Sequence, residues 1–533
     1  MLEDRLRAIP FLRDLPSTTI ERAAACLRPV SVPRDELVFS AGDPADSLFL
    51  VERGWLEVTE PGTSRTLASL GPGSVVGELG ILLDAPRAAS VRAIGEAELW
   101  ELRRADVEAI VAEDPSLAVA LSREIGRRLL AANRVDGVAP RLVVLPAPGV
   151  ASLARALVAE GIGVSVLELA SLPDQLPPAV ERLGSEHASA DGVMTLATTP
   201  AEGRSVVLVA LPPDRDPVAE TATRAAEFGV AEGGALPRWV ADEIEPLRRL
   251  RASTSDATLA RTARWVSGRA IGLALSSGGS KTVAHMGVLE VLREAKLPID
   301  AVSGTSGGSV GAAIVARDIP DSEIHRWIGQ LSSSFRWVKL GPKVPPRDAL
   351  FSGKGPMALF REWHGDRRIE QCGIPLYIIA ADLATGAEVV LDRGSIADAL
   401  RASMSIPGVL EPPRWHDRFL VDGGIVSPLP ARVLRDAGIQ WVIGSNVAGQ
   451  ESVLSSEARP PHIVETMGRM LSTMERSLLS NQIALLDVHI RPVVRAANSF
   501  DFSNPAPLFA EGVRAAREQL PAVERLVEMA ARA

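Results

Sequence analysis

The run Ser303-Gly304-Thr305-Ser306-Gly307-Gly308 holds a serine whose surroundings suit a nucleophile. The largely apolar residues Ile299–Val302 precede it and the small-residue run Val310–Ala316 follows, so a G-x-S-x-G pattern falls between a strand and a helix. Gly304 and Gly308 remove the Cβ atoms that would obstruct a sharp turn, and the Ser306 hydroxyl is left at a helix N-terminus, where negative charge is favoured. Upstream, Ile271–Leu275 reads as a buried strand that runs into Ser276-Ser277-Gly278-Gly279-Ser280-Lys281-Thr282 and then into a helix from Val283 to Ala295. Gly278 and Gly279 allow backbone N–H groups to turn into a cavity, as an oxyanion hole requires, and Lys281 adds positive charge or fixes the loop. Downstream, Arg418–Val421 is a strand ending in Asp422-Gly423-Gly424, and a carboxylate there can take the Ser306 proton if the strand ends converge.

Each of these features alone is an ordinary turn serine, turn aspartate or packing glycine pair. Three of them at the ends of apolar strands favour catalysis. A phosphate-loop reading of Gly279-Ser280-Lys281-Thr282 fails, because Leu275 and Ser280 stand where G-x-x-x-x-G-K-[ST] needs glycine.

On these motifs the stretch from Ile271 to His489 resembles the patatin-like phospholipase family, with Ser405-Ile406-Pro407-Gly408 and Val442-Ile443-Gly444 adding to the likeness. The resemblance implies an α/β hydrolase domain in which Ser306 is the nucleophile and Asp422 the base of a Ser–Asp dyad, with Gly278, Gly279, Ser280 and Lys281 forming the oxyanion loop. Lys281 and Thr282 stand where the family usually has arginine and glycine. Lysine keeps the charge without the planar fork. That departure leaves a different-class alternative, a ligand-responsive binding protein with an inactive hydrolase domain.

A chain of 533 residues accommodates several domains, and 46% apolar residues suffice for their cores. A net charge of −9 argues against a broad nucleic-acid surface. Cys26 and Cys372 are the two cysteines and the seven histidines lack ligand spacing, so neither a disulfide framework nor a metal site is expected. A charged N-terminus and the lack of any long apolar run predict a cytoplasmic protein, with peripheral contact at a membrane surface.

Residues 1–135 have another texture. Short β-type runs at Glu36–Ser40, Ser47–Val51, Trp55–Thr59 and Arg65–Leu70 alternate with turns, which predicts a β-roll with flanking helices. Gly77-Glu78-Leu79 opens a short helix able to face an anion, Glu78 can accept from a ribose hydroxyl, and Arg87 can pair with a phosphate. The stretch Gly77–Val91 resembles the phosphate cassette of cyclic-nucleotide-binding domains. The resemblance puts Glu78 on the ribose, Arg87 on the cyclic phosphate, and Ala88, Ala89 and Ser90 in the rest of the cassette. Alanine after the arginine favours cAMP over cGMP as the regulatory ligand. No cofactor is otherwise expected.

A helix-turn-helix is not found next. Arg141–Leu145 reads as a buried strand, and strands at Gly163–Leu167, Gly192–Leu196 and Ser205–Leu211 follow, which predicts a small α/β domain. The resemblance is to neuropathy-target-esterase-like enzymes, which join such segments to a patatin domain. The expected organisation is multidomain: 1–135 a cyclic-nucleotide-binding roll, 141–245 an α/β linker domain, 246–270 a helical connector, 271–495 the α/β hydrolase, and 496–533 a helical tail. Trp327, Phe335, Trp337 and Phe351 mark a segment that is either a lid over an acyl site or buried packing. The activity implied is a serine esterase acting on phospholipid or lysophospholipid and regulated by the nucleotide.

Overall fold

A computed structural model of the chain describes residues 6, 9, 12, 15–59, 66–121, 141–184, 187–198, 206–232, 236–244, 248–252, 255–334, 341–345, 347–450, 463–494 and 501–532. They form two compact units, Met1–Ala263 and Arg264–Ala533.

The first unit holds the roll and a parallel sheet. In the roll, one sheet runs in the order Arg28–Val32, Ala97–Arg103, Ser47–Arg53, Val75–Val76, and the other Leu37–Phe39, Ser90–Ala93, Leu56–Thr59, Thr66–Leu70. All the pairings are antiparallel. Helices Ser17–Cys26 and Arg104–Glu113 flank it. Residues 136–140, between the expected roll and α/β domain, lie outside the described residues. The parallel sheet has six strands in the order Glu181–Arg182, Val164–Glu168, Val206–Leu211, Arg141–Pro146, Phe228–Glu232, Arg249–Ala252. Its central strands are near-continuous runs of valine and leucine because helices cover both faces.

Two sequence expectations change here. Gly192–Leu196 is part of a helix, Ala190–Thr198, whose Val193 and Leu196 are buried. A five-residue apolar run is too short for its period to tell helix from strand, and here the buried Val193 and Leu196, three residues apart, share one helix face. The 246–270 segment is not simply a helical connector. Arg249–Ala252 is the edge strand of the parallel sheet, and Asp256–Val266 is a helix. Arg264 and Trp265 at its end belong to the second unit, where the Arg264 guanidinium grips the buried Asp300 and Trp265 Nε1 donates to the Ala437 carbonyl at 2.8 Å.

The second unit is built on one mixed sheet, in the order Arg414–Trp415, Arg418–Asp422, Leu376–Asp382, Ala301–Thr305, Ile271–Leu275, Trp441–Ser445, Val488–Ile490, with Glu388–Leu391 also paired to Leu376–Asp382. Ile271–Leu275, Ala301–Thr305, Leu376–Asp382, Trp441–Ser445 and Val488–Ile490 are parallel, whereas Arg418–Asp422 runs antiparallel to Leu376–Asp382. That reversal matters for the site. Thr305 lies opposite Ile379 and Asp422 opposite Ala380, so consecutive residues of one strand bring the ends of two others side by side.

The residues 496–533 read as a separate tail do not stand apart. The helix Ala506–Arg532 packs on Val283–Glu294, and its Ala515, Ala516, Val523 and Leu526 join the core of the hydrolase unit. Two glycines permit the approach: a Cβ on Gly287 would run into the Phe509 carbonyl, and one on Gly512 into the Ala284 carbonyl. Gly512→Leu is expected to force these helices apart, an overpacking that costs about 1–3 kcal/mol. A thermal melt should show the second unit's Tm lowered by several degrees, and an unchanged Tm would mean the crossing yields without strain.

Candidate active site

Ser306 sits at the turn between the strand Ala301–Thr305 and the helix Gly307–Ala316, with φ 53° and ψ −128°. This strained conformation for a residue with a side chain is held by packing that leaves no alternative. A Cβ on Gly304 would lie 2.6 Å from the Gly308 carbonyl oxygen, and one on Gly308 would collide with the carbonyls of Leu275 and Ser276. Only glycine lets the turn close and the helix start rest on the neighbouring strand. The Ser306 N–H donates to Ser403 Oγ at 2.8 Å, and Ser403 Oγ in turn donates to the Ile379 carbonyl at 2.6 Å.

The Ser306 hydroxyl donates to Asp422 Oδ2 at 2.6 Å. Asp422 is wholly buried, and its other oxygen accepts from the Gly424 N–H at 2.8 Å. Burial pushes this carboxyl up to about 6, against the two hydrogen bonds that favour its ionised form. The Asp422 N–H donates to the Ser405 carbonyl at 2.8 Å. Ser303 Oγ and Thr305 Oγ1 reach the carbonyls of Pro430 and Ser427, each at 2.7 Å, and so tie the nucleophile's strand to the loop after the base.

Gly279 has φ 58°, and a Cβ on Gly278 would meet Val447 Cγ2 at 2.7 Å. Both glycines are therefore required for this turn. Ser280 and Lys281 are buried beside them. The Lys281 ammonium donates to the Gln450 carbonyl at 3.1 Å and thus ties the turn to the loop after Ser445. Burial lowers its pKa, with Glu475 acting the other way. His285 is held neutral, its pKa lowered to about 4 by burial; Nε2 donates to the Ser276 carbonyl at 2.9 Å and Nδ1 accepts from Ser445 Oγ at 2.8 Å. These bonds make it a brace and no carrier of protons. Trp327 stacks on Trp363 at 4.6 Å in the core, and Phe351 packs with Val409 and Leu410. Phe335 and Trp337 lie outside the described residues.

Sequence reasoning did not single out Ser403, Ser277 or Glu475. Glu475 is buried on the helix Ile463–Ile483 and accepts from Ser277 Oγ. A lone polar residue on a helix or strand end leaves no spacing signal.

In the roll, Gly77 has φ 84° and caps the helix Glu78–Leu82. Glu78 and Arg87 are both buried, whereas Leu79 and Ala88 are exposed and Ala89 and Ser90 half-buried. Arg87 Nη1 donates to the Gly77 carbonyl at 3.0 Å, and its guanidinium lies 4.1 Å from the centroid of the Phe39 ring. Arg87 Nε is buried without a hydrogen-bond partner. Burial lowers the arginine's pKa, opposed by Asp46, Asp43 and Glu78. Ser90 Oγ accepts from the Ala41 N–H at 2.9 Å and closes the cassette. A buried cation with a spare donor fits an anionic ligand.

Comparison with known proteins identifies two domains in the chain. Residues 273–435 match the patatin-like phospholipase family, and residues 29–114 match the cyclic nucleotide-binding domain. The chain thus carries a cyclic nucleotide-binding domain ahead of a patatin-like phospholipase domain of the lipid-esterase type, and is similar to neuropathy target esterase. Among its relatives, an uncharacterized NTE family protein of Mycobacterium tuberculosis (strain ATCC 25618 / H37Rv) is 28% identical over 460 residues, 80% of this chain and 77% of the relative. The neuropathy target esterase of Drosophila melanogaster is 31% identical over 198 residues, 36% of this chain and 14% of that protein. The cAMP complex of the Toxoplasma gondii PKA regulatory domain is 30% identical, covers 20% of this chain and 42% of its own, and has a TM-score of 0.20.

Ser306→Ala is expected to abolish ester hydrolysis, and Asp422→Asn to lower kcat by about 10²–10⁴, because the amide cannot take the proton. Circular dichroism should find both variants folded. Burial raises the Asp422 carboxyl to about 6, and the expectation that it acts as a base in its ionised form predicts a wild-type rate that falls as pH drops through that value. A rate flat down to pH ~4, where an unperturbed aspartate titrates, would show that Asp422 is not the base.

Proposed function

We propose that the enzyme hydrolyses acyl esters of phospholipids or lysophospholipids through a Ser306–Asp422 dyad, and that a cyclic nucleotide, cAMP in preference to cGMP, binds at Gly77–Ser90 and regulates the reaction. The observation that carries the catalytic half is the 2.6 Å hydrogen bond from Ser306 Oγ to a buried carboxylate.

Ser306 Oγ attacks the ester carbonyl while its proton passes to Asp422 Oδ2. The carbonyl oxygen becomes an oxyanion facing the Gly278–Lys281 turn, whose backbone N–H groups stabilise it. The protonated Asp422 then gives the proton to the departing alcohol, and the acyl group remains on Ser306. Water then gives a proton to Asp422 and attacks the acyl-enzyme, and as the acyl–Oγ bond breaks Asp422 returns that proton to Ser306 Oγ, which releases the fatty acid. Lys281 orders the oxyanion turn through the Gln450 carbonyl, in place of the fork an arginine would offer. A lipid substrate brings peripheral contact with the membrane surface that contains it. The free cysteines Cys26 and Cys372 suit a reducing cytoplasm.

For the regulatory half, Arg87 pairs with the cyclic phosphate and Glu78 with the ribose. The support is the spare Nε of a buried arginine at the N-terminus of the Glu78–Leu82 helix. The exposed Ala88 after it offers no hydroxyl, and the preference for cAMP rests on this.

Esterase kinetics and ligand binding test the proposal. Fatty acid released from lysophosphatidylcholine and from a diacyl phosphatidylcholine should require Ser306, and release of none from either would refute the lipid-ester reading. Gly279→Val should lower kcat far more than it raises KM, because an oxyanion donor contributes about 3 kcal/mol in the transition state alone. In the roll, isothermal titration of Arg87→Ala should show cAMP bound about tenfold or more weakly, the loss of one charge-assisted pair. Equal affinity in the variant would remove Arg87 from the site, and a flat esterase rate despite bound cAMP would refute regulation.

A further inference from the structure

Glu475 comes from the helix Ile463–Ile483, outside every strand-end motif, yet it reaches the centre of the site. Its Oε1 accepts from Ser277 Oγ, the residue immediately before the Gly278-Gly279 turn. Ser277 is otherwise fixed by its backbone: its N–H donates to the Pro428 carbonyl at 2.8 Å and its carbonyl accepts from Ser276 Oγ at 2.9 Å. Glu475 thus supplies the side-chain restraint on the residue that launches the oxyanion turn. The Gly449 N–H also donates to this carboxyl, on the loop that Lys281 ties down.

The same carboxyl faces the base. A Cβ on Gly424 would lie 3.1 Å from both Asp422 Oδ1 and Glu475 Oε1, so the second glycine of Asp422-Gly423-Gly424 is a gap between two buried carboxyl groups. Two such groups cannot both ionise freely in a dry pocket. The other titratable group facing Glu475 is Lys281, from the oxyanion turn.

We propose that Glu475 is a positioning residue for the acyl transfer: it fixes the oxyanion turn through Ser277, and by carrying the pocket's proton it leaves Asp422 ionised as the base. The inference rests on the dyad reading above. Burial pushes Glu475 up to about 7, with Asp422 adding to the rise, while Asp422 itself reaches about 6. The two carboxyls flank Gly424 in one pocket, so a proton held by either one favours the ionised form of the other. The titration steps belong to the pair. Once Glu475 also ionises, its charge lies beside the turn that must receive an oxyanion, and the rate should decline.

The test is the pH profile of kcat for fatty-acid release from lysophosphatidylcholine, in the full chain and in Glu475→Gln, Glu475→Ala and Ser306→Ala. Glutamine keeps an acceptor for Ser277 Oγ and loses the charge. The expected outcome is a wild-type profile that falls on both sides, and a Glu475→Gln profile that keeps the acid limb and loses the decline above about pH 7. Glu475→Ala should lower kcat by about 10² with KM barely changed, the mark of an oxyanion turn that no longer stabilises the transition state fully. A Glu475→Gln profile superimposable on wild type overturns the proposal, as does a folded Glu475→Ala with wild-type kcat. If Glu475→Ala fails to fold, the glutamine profile decides. Turnover by Ser306→Ala would instead overturn the dyad reading, so the two failures are distinguishable.

Discussion

The hydrogen bond from Ser306 to Asp422 places an aspartate carboxyl with no exposure to water beside a hydroxyl that must lose its proton. Much of the hydrolase unit serves this contact. A buried carboxylate needs donors for its lone pairs, and Ser306 Oγ and the Gly424 N–H provide one for each oxygen. Donors this few leave burial dominant, and the carboxyl is correspondingly raised towards the range in which it can both accept and return a proton. The strand Leu376–Asp382 brings it there: Thr305 lies opposite its Ile379 and Asp422 opposite its Ala380, so the two strand ends meet one residue apart along it.

The backbone around this contact is crowded to the point that side chains are excluded. Gly304, Gly308 and Gly278 each sit where a Cβ would strike a carbonyl or a methyl group, and one on Gly424 would press at 3.1 Å on two carboxyl oxygens. The Ser306 conformation is held by those approaches and by Ser403, which links its N–H to the neighbouring strand. Lys281 and His285 finish the frame, one bonding to the Gln450 carbonyl and the other bridging Ser276 and Ser445. Their charge chemistry is spent on structure.

What the sequence made legible follows from the same crowding. Glycines beside a serine or aspartate at the end of an apolar strand are a local pattern, and Ser306, Asp422 and Gly278-Gly279 were readable because sterics force that pattern into adjacent positions. Glu78 and Arg87 were readable for a similar reason, since a short helix start and one arginine share a cassette. Ser403 and Glu475 were not, because each acts across long sequence separation from a helix or its end, where one polar residue resembles any other. The apolar run at 192–196 gave no way to choose a helix over a strand. The helix Ala506–Arg532 looked like a tail because the glycines that admit it, Gly287 and Gly512, lie far apart in sequence and acquire meaning only when the helices cross.

The central claim is that Ser306 is a nucleophile activated by a buried carboxylate. The most direct measurement is the rate at which a fluorophosphonate labels the full-length protein as a function of pH, with the modified residue located by peptide mass spectrometry. The account predicts a single adduct, on Ser306, formed at a rate that falls to half as pH drops through about 6, and a rate in Asp422→Asn that is low throughout. An adduct on another serine, or labelling of Ser306 that ignores both pH and the loss of Asp422, would contradict it.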